Sequence, residues 1–296
     1  MDIRTLKAEA SRTLLGAAYS PRLLVLIHTG VALGVGLVLA LIGDILDHGV
    51  SAAGGLSGMS TQAALTTAQV VLQLIGVATM PFWQAGIVSA ALKVSRRQQV
   101  SPRDLTEGFR RFKPMLSSGI MVGLQYLSMG FVSSYLSSAL IVFVPFAAAV
   151  YPAVFLLAYA VLAVPVFYRS RMVRYLIMDN PDLGGIRAVL MSGKMMRGRW
   201  LRLFKLDLSF WWFYGLELLL GVVSAGNLLL PMLGVALPVS DGVAYWGFQL
   251  LAGAGELGLY YLARPKLEVT YALCYEAFLQ PEDPKPQKPA VHPWTY

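Results

Sequence analysis

The stretch Asn180–Phe213, NPDLGGIRAVLMSGKMMRGRWLRLFKLDLSFWWF, changes from a basic segment into an apolar one without an interruption. Its first part carries Arg187 and Lys194 beside apolar residues at helical spacing, which is typical of a helix on a membrane surface. Its last part has the composition of a transmembrane helix. We therefore predict a helix that lies on the inner face of a membrane and then continues through it.

The composition of the whole chain is that of an integral membrane protein. Of 296 residues, 56% are hydrophobic and 14% are charged, whereas soluble domains carry roughly 25% charged residues. The net charge is +8, and the basic residues flank apolar runs, which favours lipid phosphate over nucleic acid as their partner. Cys274 is the one cysteine of the sequence, so no internal disulfide or cysteine-based metal site is predicted.

Hydropathy predicts an all-α, polytopic membrane helical bundle with six transmembrane helices and juxtamembrane amphipathic helices. The charge-free run Pro114–Tyr168 is too long for one crossing and suits two. An amphipathic segment is predicted at Met1–Tyr19, and another at Leu267–Leu279 after Arg264-Pro265 ends the last span. The predicted spans are Leu23–Ile45, Ala63–Leu92, Met115–Ser138, Tyr151–Tyr168, Leu203–Val223 and Val243–Ala263.

Charge asymmetry predicts the orientation of the bundle. With six spans, all 24 Lys and Arg residues fall on the side of the two termini. The opposite loops, such as Gly43–Gln62 and Ser224–Gly242, contain none. The positive-inside rule then places both termini in the cytoplasm.

The chain is predicted to form one membrane domain, residues 1–279, followed by a Pro-rich disordered tail, residues 280–296. Three times a basic amphipathic segment precedes a pair of spans, in residues 1–92, 101–168 and 181–263. This pattern suits a threefold repeat. It also suits unrelated helical hairpins that each carry a juxtamembrane helix.

Polar residues inside spans 5 and 6 are the candidate ligand-binding residues. On a helical wheel Asp207, Tyr214 and Glu217 fall within roughly 80° of one another, and Glu256 shares a face with Tyr260. A charged carboxylate inside a membrane costs about 3 kcal/mol or more. These residues therefore form either a cation, proton or headgroup site, or hydrogen bonds between neutral glutamic acids that bridge two helices. The full candidate set is Asp207, Tyr214, Glu217, Gln249, Glu256 and Tyr260.

Two basic clusters are candidates for contact with anionic lipid headgroups. They flank predicted spans, where cationic side chains meet phosphates. The alternative is a docking surface for a partner protein. The candidate headgroup residues are Arg110, Arg111, Lys113, Arg187, Lys194 and Arg197.

A run in the third quarter of the chain carries a family resemblance. It reads S-x-x-M-M-x-G-x-x-x-x-L-F-x-L-D-L-S-F from Ser192 to Phe210. The run resembles the signature of the bacterial membrane proteins grouped as domain of unknown function 975. Ile3–Gly16 and Pro265–Tyr275 are similar to the start and the end of that family. The resemblance implies a polytopic protein of the bacterial cytoplasmic membrane and supplies no catalytic residue.

No sequence pattern of a known catalytic site is present. The chain lacks a Gly-rich phosphate loop, a Ser/His/Asp set and an HExxH motif, so we predict no enzyme, cofactor or metal. The leading hypothesis is a non-enzymatic accessory or scaffolding protein of the cell envelope, with the lipid bilayer and a membrane protein as partners. The alternative is a small-solute, ion or lipid transporter that uses Glu217 and Glu256.

Overall fold

The computed structural model describes residues 2–16, 20–52, 67, 70–71, 81–143, 147–226, 230 and 241–280. Within these ranges the chain is helical and contains no strand, which confirms the all-α prediction. The helices are α1 (Ile3–Leu15), α2 (Pro21–Ala52), α3 (residues 81–95), a 3-10 turn (Pro102–Thr106), α4 (Glu107–Arg110), α5 (Phe112–Phe143), α6 (Ala147–Ser170), α7 (Val173–Asp179), α8 (Gly185–Met195), α9 (Trp200–Leu208), α10 (Trp211–Ser224) and α11 (Asp241–Leu279).

Three helical segments among the described residues are long and apolar enough to cross a membrane: Pro21–Gly43, Phe112–Leu140 and Tyr151–Asp179. A fourth is present if α9 and α10, which meet at 66°, form one broken span. Half of predicted span 2 falls outside the described residues. Predicted span 6 lies within α11, which is less apolar than those three segments. The structure thus supports three to four candidate spans, and six stays a prediction.

The buried core lies away from the middles of the apolar helices. It forms where α3, α7 and the last third of α11 meet, and its largest fully buried side chains include Met172, Ile177, Tyr271 and Tyr275. In the three candidate spans at most 17% of the most apolar window is buried. In lipid an apolar side chain gains no hydrophobic free energy by contacting another helix. We call the core residues 82–94, 172–178 and 267–278 the packed base. This distribution suits apolar helices that extend from the packed base into a membrane.

The stretch Asn180–Phe213 is divided into separate helices, so the prediction of a helix without a break is wrong. Asn180 does not begin a helix, because α8 starts at Gly185 after a turn. Gly198, with φ +75°, adopts a left-handed conformation that glycine tolerates best and separates α8 from α9. At the next break the Ser209 hydroxyl donates to the Leu206 carbonyl at 2.6 Å. Such bonds compete with the helical ladder and accompany bends.

Two predicted boundaries are also wrong. Helix α2 continues to Ala52, so the loop predicted from Gly43 begins later in the chain. Helix α11 passes through Pro265 without ending, so span 6 and the segment Leu267–Leu279 form one helix. Proline removes one backbone hydrogen bond, but most of the residues in 267–278 after it are buried. Packing free energy therefore offsets the missing bond.

Candidate functional site

A polar cluster surrounds Asp207, at the end of α9. The Tyr168 hydroxyl donates to the Asp207 carboxylate at 2.9 Å, and the Tyr271 hydroxyl donates to its other oxygen. The hydroxyls of Tyr214 and Tyr271 are 2.8 Å apart. The Arg171 guanidinium lies 4.6 Å from the centre of the Tyr271 ring. This Asp207 cluster joins α6, α9, α10 and α11 at the bend.

A second cluster, which makes contacts separate from those of the Asp207 cluster, contains Glu217 and Glu256. The Tyr260 hydroxyl donates to the Glu217 carboxylate at 2.6 Å. The Tyr260 ring stacks on Phe213, with ring centres 5.9 Å apart, and Arg264 lies 4.6 Å above the Tyr260 ring. Glu256 is half-buried and close enough to Glu217 for their charges to interact. This glutamate cluster joins α10 to α11.

Gln249 has a capping role at the end of α10. Its side-chain amide donates to the Ser224 carbonyl at 3.1 Å and accepts from the Ser224 hydroxyl at 3.0 Å. The last carbonyls of a helix have no partner inside that helix. Gln249 therefore satisfies one of them and contacts neither cluster.

The structure thus brings the six candidate ligand residues together only in part. Asp207 and Tyr214 share the first cluster, whereas Glu217, Glu256 and Tyr260 form the second. The bend between α9 and α10 explains the division, because the helical wheel assumed one straight helix. Sequence reasoning missed Tyr168, Arg171 and Tyr271. Their apolar or basic neighbours in sequence give no sign that they meet Asp207.

The candidate headgroup residues have different environments. Arg111 is turned inward, with 17% of its side chain exposed, and it donates to the Ile177 carbonyl at 3.1 Å. Arg110 is exposed and lies 3.4 Å from Glu107. The other four are exposed, and three of them lie on α8 or in the turn after it. These four are Lys113, Arg187, Lys194 and Arg197.

Ion pairs connect the elements of the packed base. Arg96 contacts the Asp179 carboxylate at 2.6 Å and the Glu276 carboxylate at 2.7 Å. The Tyr275 hydroxyl donates to Asp179 at 3.0 Å. The hydrogen bond to Asp179 raises the pKa of Arg96 well above its usual value. Arg96, just after α3, therefore links that helix to α7 and α11.

The N-terminal helix contacts the bend through Lys7. The Lys7 ammonium donates to the Ser209 carbonyl at 2.7 Å and lies 3.8 Å from the centre of the Phe210 ring. Leu6 and Ala10 of the same helix are buried. A cation is favoured at the carbonyl end of a helix, as α9 presents here. Lys7 therefore holds α1 against the end of α9.

We expect Lys7→Met to loosen this contact. Methionine keeps the apolar stem but cannot donate, and a hydrogen bond from a charged group contributes about 1.5–3 kcal/mol. Hydrogen exchange of the amides in Ile3–Leu15 should become faster. Arg4→Met is the control, because Arg4 is exposed on the same helix. Equal exchange in wild type and Lys7→Met would contradict a role for the ammonium in holding α1.

Among the described residues, no three His, Cys, Asp or Glu side chains gather in a group that could hold a metal ion. Most polar groups of each cluster bond to other members of that cluster. Glu256 differs, because within the described part of the chain it interacts with Glu217 through charge rather than through a hydrogen bond. The arrangement can therefore join helices through hydrogen bonds inside an apolar layer.

Fold and site together define an all-helical protein with three to four helices suited to crossing a membrane. The chain belongs to the family described as Protein of unknown function (DUF975), whose model matches residues 1–280. The resemblance seen in the sequence is thereby confirmed. Neither a curated protein nor a solved structure matches the chain.

Proposed function

We propose that the protein is a six-span protein of the bacterial cytoplasmic membrane, with both termini in the cytoplasm, that acts without catalysis as an accessory or scaffolding protein of the cell envelope. The observation that carries the proposal is that polar and apolar side chains of the helices have different environments. Their polar groups bond to one another, whereas their apolar sides are exposed. Such helices offer surface to lipid and to the helices of a partner.

The α5–α6 hairpin offers a surface of this kind. A groove of about 690 Å³ runs between the two helices. Stacked rings of Tyr151, Phe155 and Tyr159 line one side, and Gly123 and Gly130 lie on the other. Small residues permit close approach of another helix, and aromatic rings supply contact area. The groove therefore supports a membrane-protein partner that inserts a helix.

Photo-crosslinking in cells tests the scaffolding role. A photoreactive amino acid at Phe131, which is 76% exposed, or at Leu157, which is 68% exposed, should give one discrete protein adduct. The same residue at Val38 of α2 is the control, since it is 53% exposed on another apolar helix. Adducts with lipid alone at all three positions would remove the support for a scaffold.

The positions of the basic residues support the orientation. The loops predicted outside, such as Gly43–Gln62 and Ser224–Gly242, carry none of the 24 Lys and Arg residues of the sequence. A cysteine introduced at Arg110 or Arg197 should resist a membrane-impermeant maleimide in intact cells, whereas one at Gly54 should react. The reverse result would exclude cytoplasmic termini.

The native cysteine should not disturb that experiment. Cys274 is buried, and burial raises the pKa of its thiol to about 12. The thiolate is the reactive form, so the thiol stays protonated and unreactive at neutral pH. We expect maleimide to modify Cys274 only after unfolding in denaturing detergent, as mass spectrometry can check. Rapid modification of the folded protein would show that this end of α11 opens.

A transporter is the second candidate, because Glu256 and Glu217 lie close enough for their charges to interact. Two carboxyl groups near one another can take up a proton or bind a cation. Proton flux into vesicles that contain the purified protein distinguishes the two functions. Flux above that of empty vesicles, lost in E217Q/E256Q but kept in E9Q, would support transport. A scaffold should give no such flux.

A further inference from the structure

We infer that a pocket between α5, α6 and α8 binds the phosphate group of an anionic phospholipid. The pocket has a volume of about 150 Å³. Two of its walls are the end of α6 and the end of α8, and α5 closes the third side. Its polar or small lining residues are Gln125, Arg169, Ser170, Gly193, Lys194 and Arg197.

The charge of the pocket is positive and lacks a partner of opposite sign. No Asp or Glu side chain of the described residues lies within 4.0 Å of the charged groups of Arg169, Lys194 or Arg197. An arginine can offer two parallel N–H groups to a phosphate, and a lysine adds a mobile cation. The Gln125 amide provides a neutral donor beside them, whereas the Ser170 hydroxyl donates to the Phe167 carbonyl at 3.1 Å. This set of donors suits an anion with several oxygen atoms.

Hydrogen bonds hold the backbone around the pocket in place. The buried Ser192 hydroxyl donates to the Arg169 carbonyl at 2.5 Å, which ties the end of α6 to α8. A Cβ atom at Gly193 would lie 3.6 Å from the Arg169 guanidinium, so the missing side chain leaves room beside that group. The Arg197 amide donates to the Lys194 carbonyl at 3.2 Å. The backbone that carries the three cations is therefore fixed, whereas their side chains are exposed.

The surroundings favour a lipid over free phosphate. Leu190, which lines the pocket, is 54% exposed, and Ile186 one turn earlier is 55% exposed. Apolar side chains beside a cationic pocket match the acyl chains below a phosphate. Basic pockets between spans are known sites for acidic headgroups on the cytoplasmic side. The assignment to the inner leaflet rests on the orientation in the proposed function, but the pocket itself does not.

Native mass spectrometry of the protein in mild detergent tests the inference. With equal phosphatidylglycerol and phosphatidylcholine added, wild type should retain one phosphatidylglycerol molecule. The amount of phosphatidylglycerol retained by R169Q/K194Q/R197Q should be lower by about tenfold or more, since each cation near the surface contributes to binding an anionic lipid. R4Q/R12Q/R103Q is the matched control, because it removes three exposed charges elsewhere and should bind as wild type does.

A second pair of variants tests the shape of the pocket without changing its charge. G193L should fill the pocket and lower retention, whereas G119L, at an exposed site on α5 with no atom within 4 Å, should not. The inference is overturned if both charge triples lose lipid equally, if R169Q/K194Q/R197Q binds normally, or if excess inorganic phosphate displaces the lipid fully. Failure of the orientation would instead appear in the maleimide experiment and leave lipid retention unchanged.

Discussion

Gly185→Ala should destabilise the protein severely, although it adds a single methyl group. The new Cβ would lie 2.1 Å from the Pro114 carbonyl oxygen and 2.7 Å from the Ser118 nitrogen. Both atoms belong to the backbone of α5, so no rotamer change can remove the clash. Overpacking costs about 1–3 kcal/mol and occasionally more, and we expect about 3 kcal/mol or above. The melting temperature in detergent should fall sharply, or the protein should elute as aggregate.

Gly119→Ala is the matched control on α5. A Cβ there has no atom within 4 Å, and alanine forms helix better than glycine by about 1 kcal/mol. Its melting temperature should equal or exceed that of wild type. Gly86 and Gly108 provide a second test, because their Cβ atoms would lie 2.1 Å from the Leu105 oxygen and 2.0 Å from the Phe82 oxygen. Normal stability of Gly185→Ala would mean that α8 does not approach α5 this closely.

Asp207→Ala should have the second largest effect. It removes the acceptor of the Tyr168 and Tyr271 hydroxyls at once. A hydrogen bond to a charged group contributes about 1.5–3 kcal/mol. Because the Tyr271 hydroxyl can still bond to Tyr214, we expect a total loss of about 2–4 kcal/mol. Thermal unfolding in detergent and in lipid nanodiscs measures the change.

Asp207→Asn separates hydrogen bonding from charge. Asparagine keeps one acceptor oxygen in nearly the same place, so it should retain more than half of the lost stability. Asp182→Ala, at an exposed position, should have no measurable effect. If Asp207→Ala and Asp182→Ala unfold at the same temperature, the Asp207 cluster does not hold the bend between α9 and α10.

The long apolar helices could be predicted from the sequence because hydropathy is a local property. The charge-free run Pro114–Tyr168 predicts two helices with a turn between, and α5 and α6 are those helices. Glu217 and Glu256 could also be identified as candidate residues from the sequence, since a charged carboxylate is costly in an apolar segment. Of the candidate residues on the facing helix, Tyr260 is the one that donates a hydrogen bond to Glu217.

The contacts that shape the bend could not be predicted in this way. Lys7 reaches Ser209 across 202 positions of sequence, and Tyr271 reaches Asp207 across 64. The helical wheel placed Asp207 and Glu217 on one face, but a 66° bend lies between them. A bond between distant residues depends on how whole helices pack, and periodicity carries no information about that.

By itself the sequence determined the all-helical character, the apolar segments and the asymmetry of charge, because each depends on which side chains neighbour one another along the chain. Tertiary structure alone decided where the core lies and which polar groups meet. Lipid removes the hydrophobic gain from helix contacts inside the apolar layer. The buried core therefore forms at the ends of the helices, around Met172 and Tyr271. Segments that are distant in the sequence meet there.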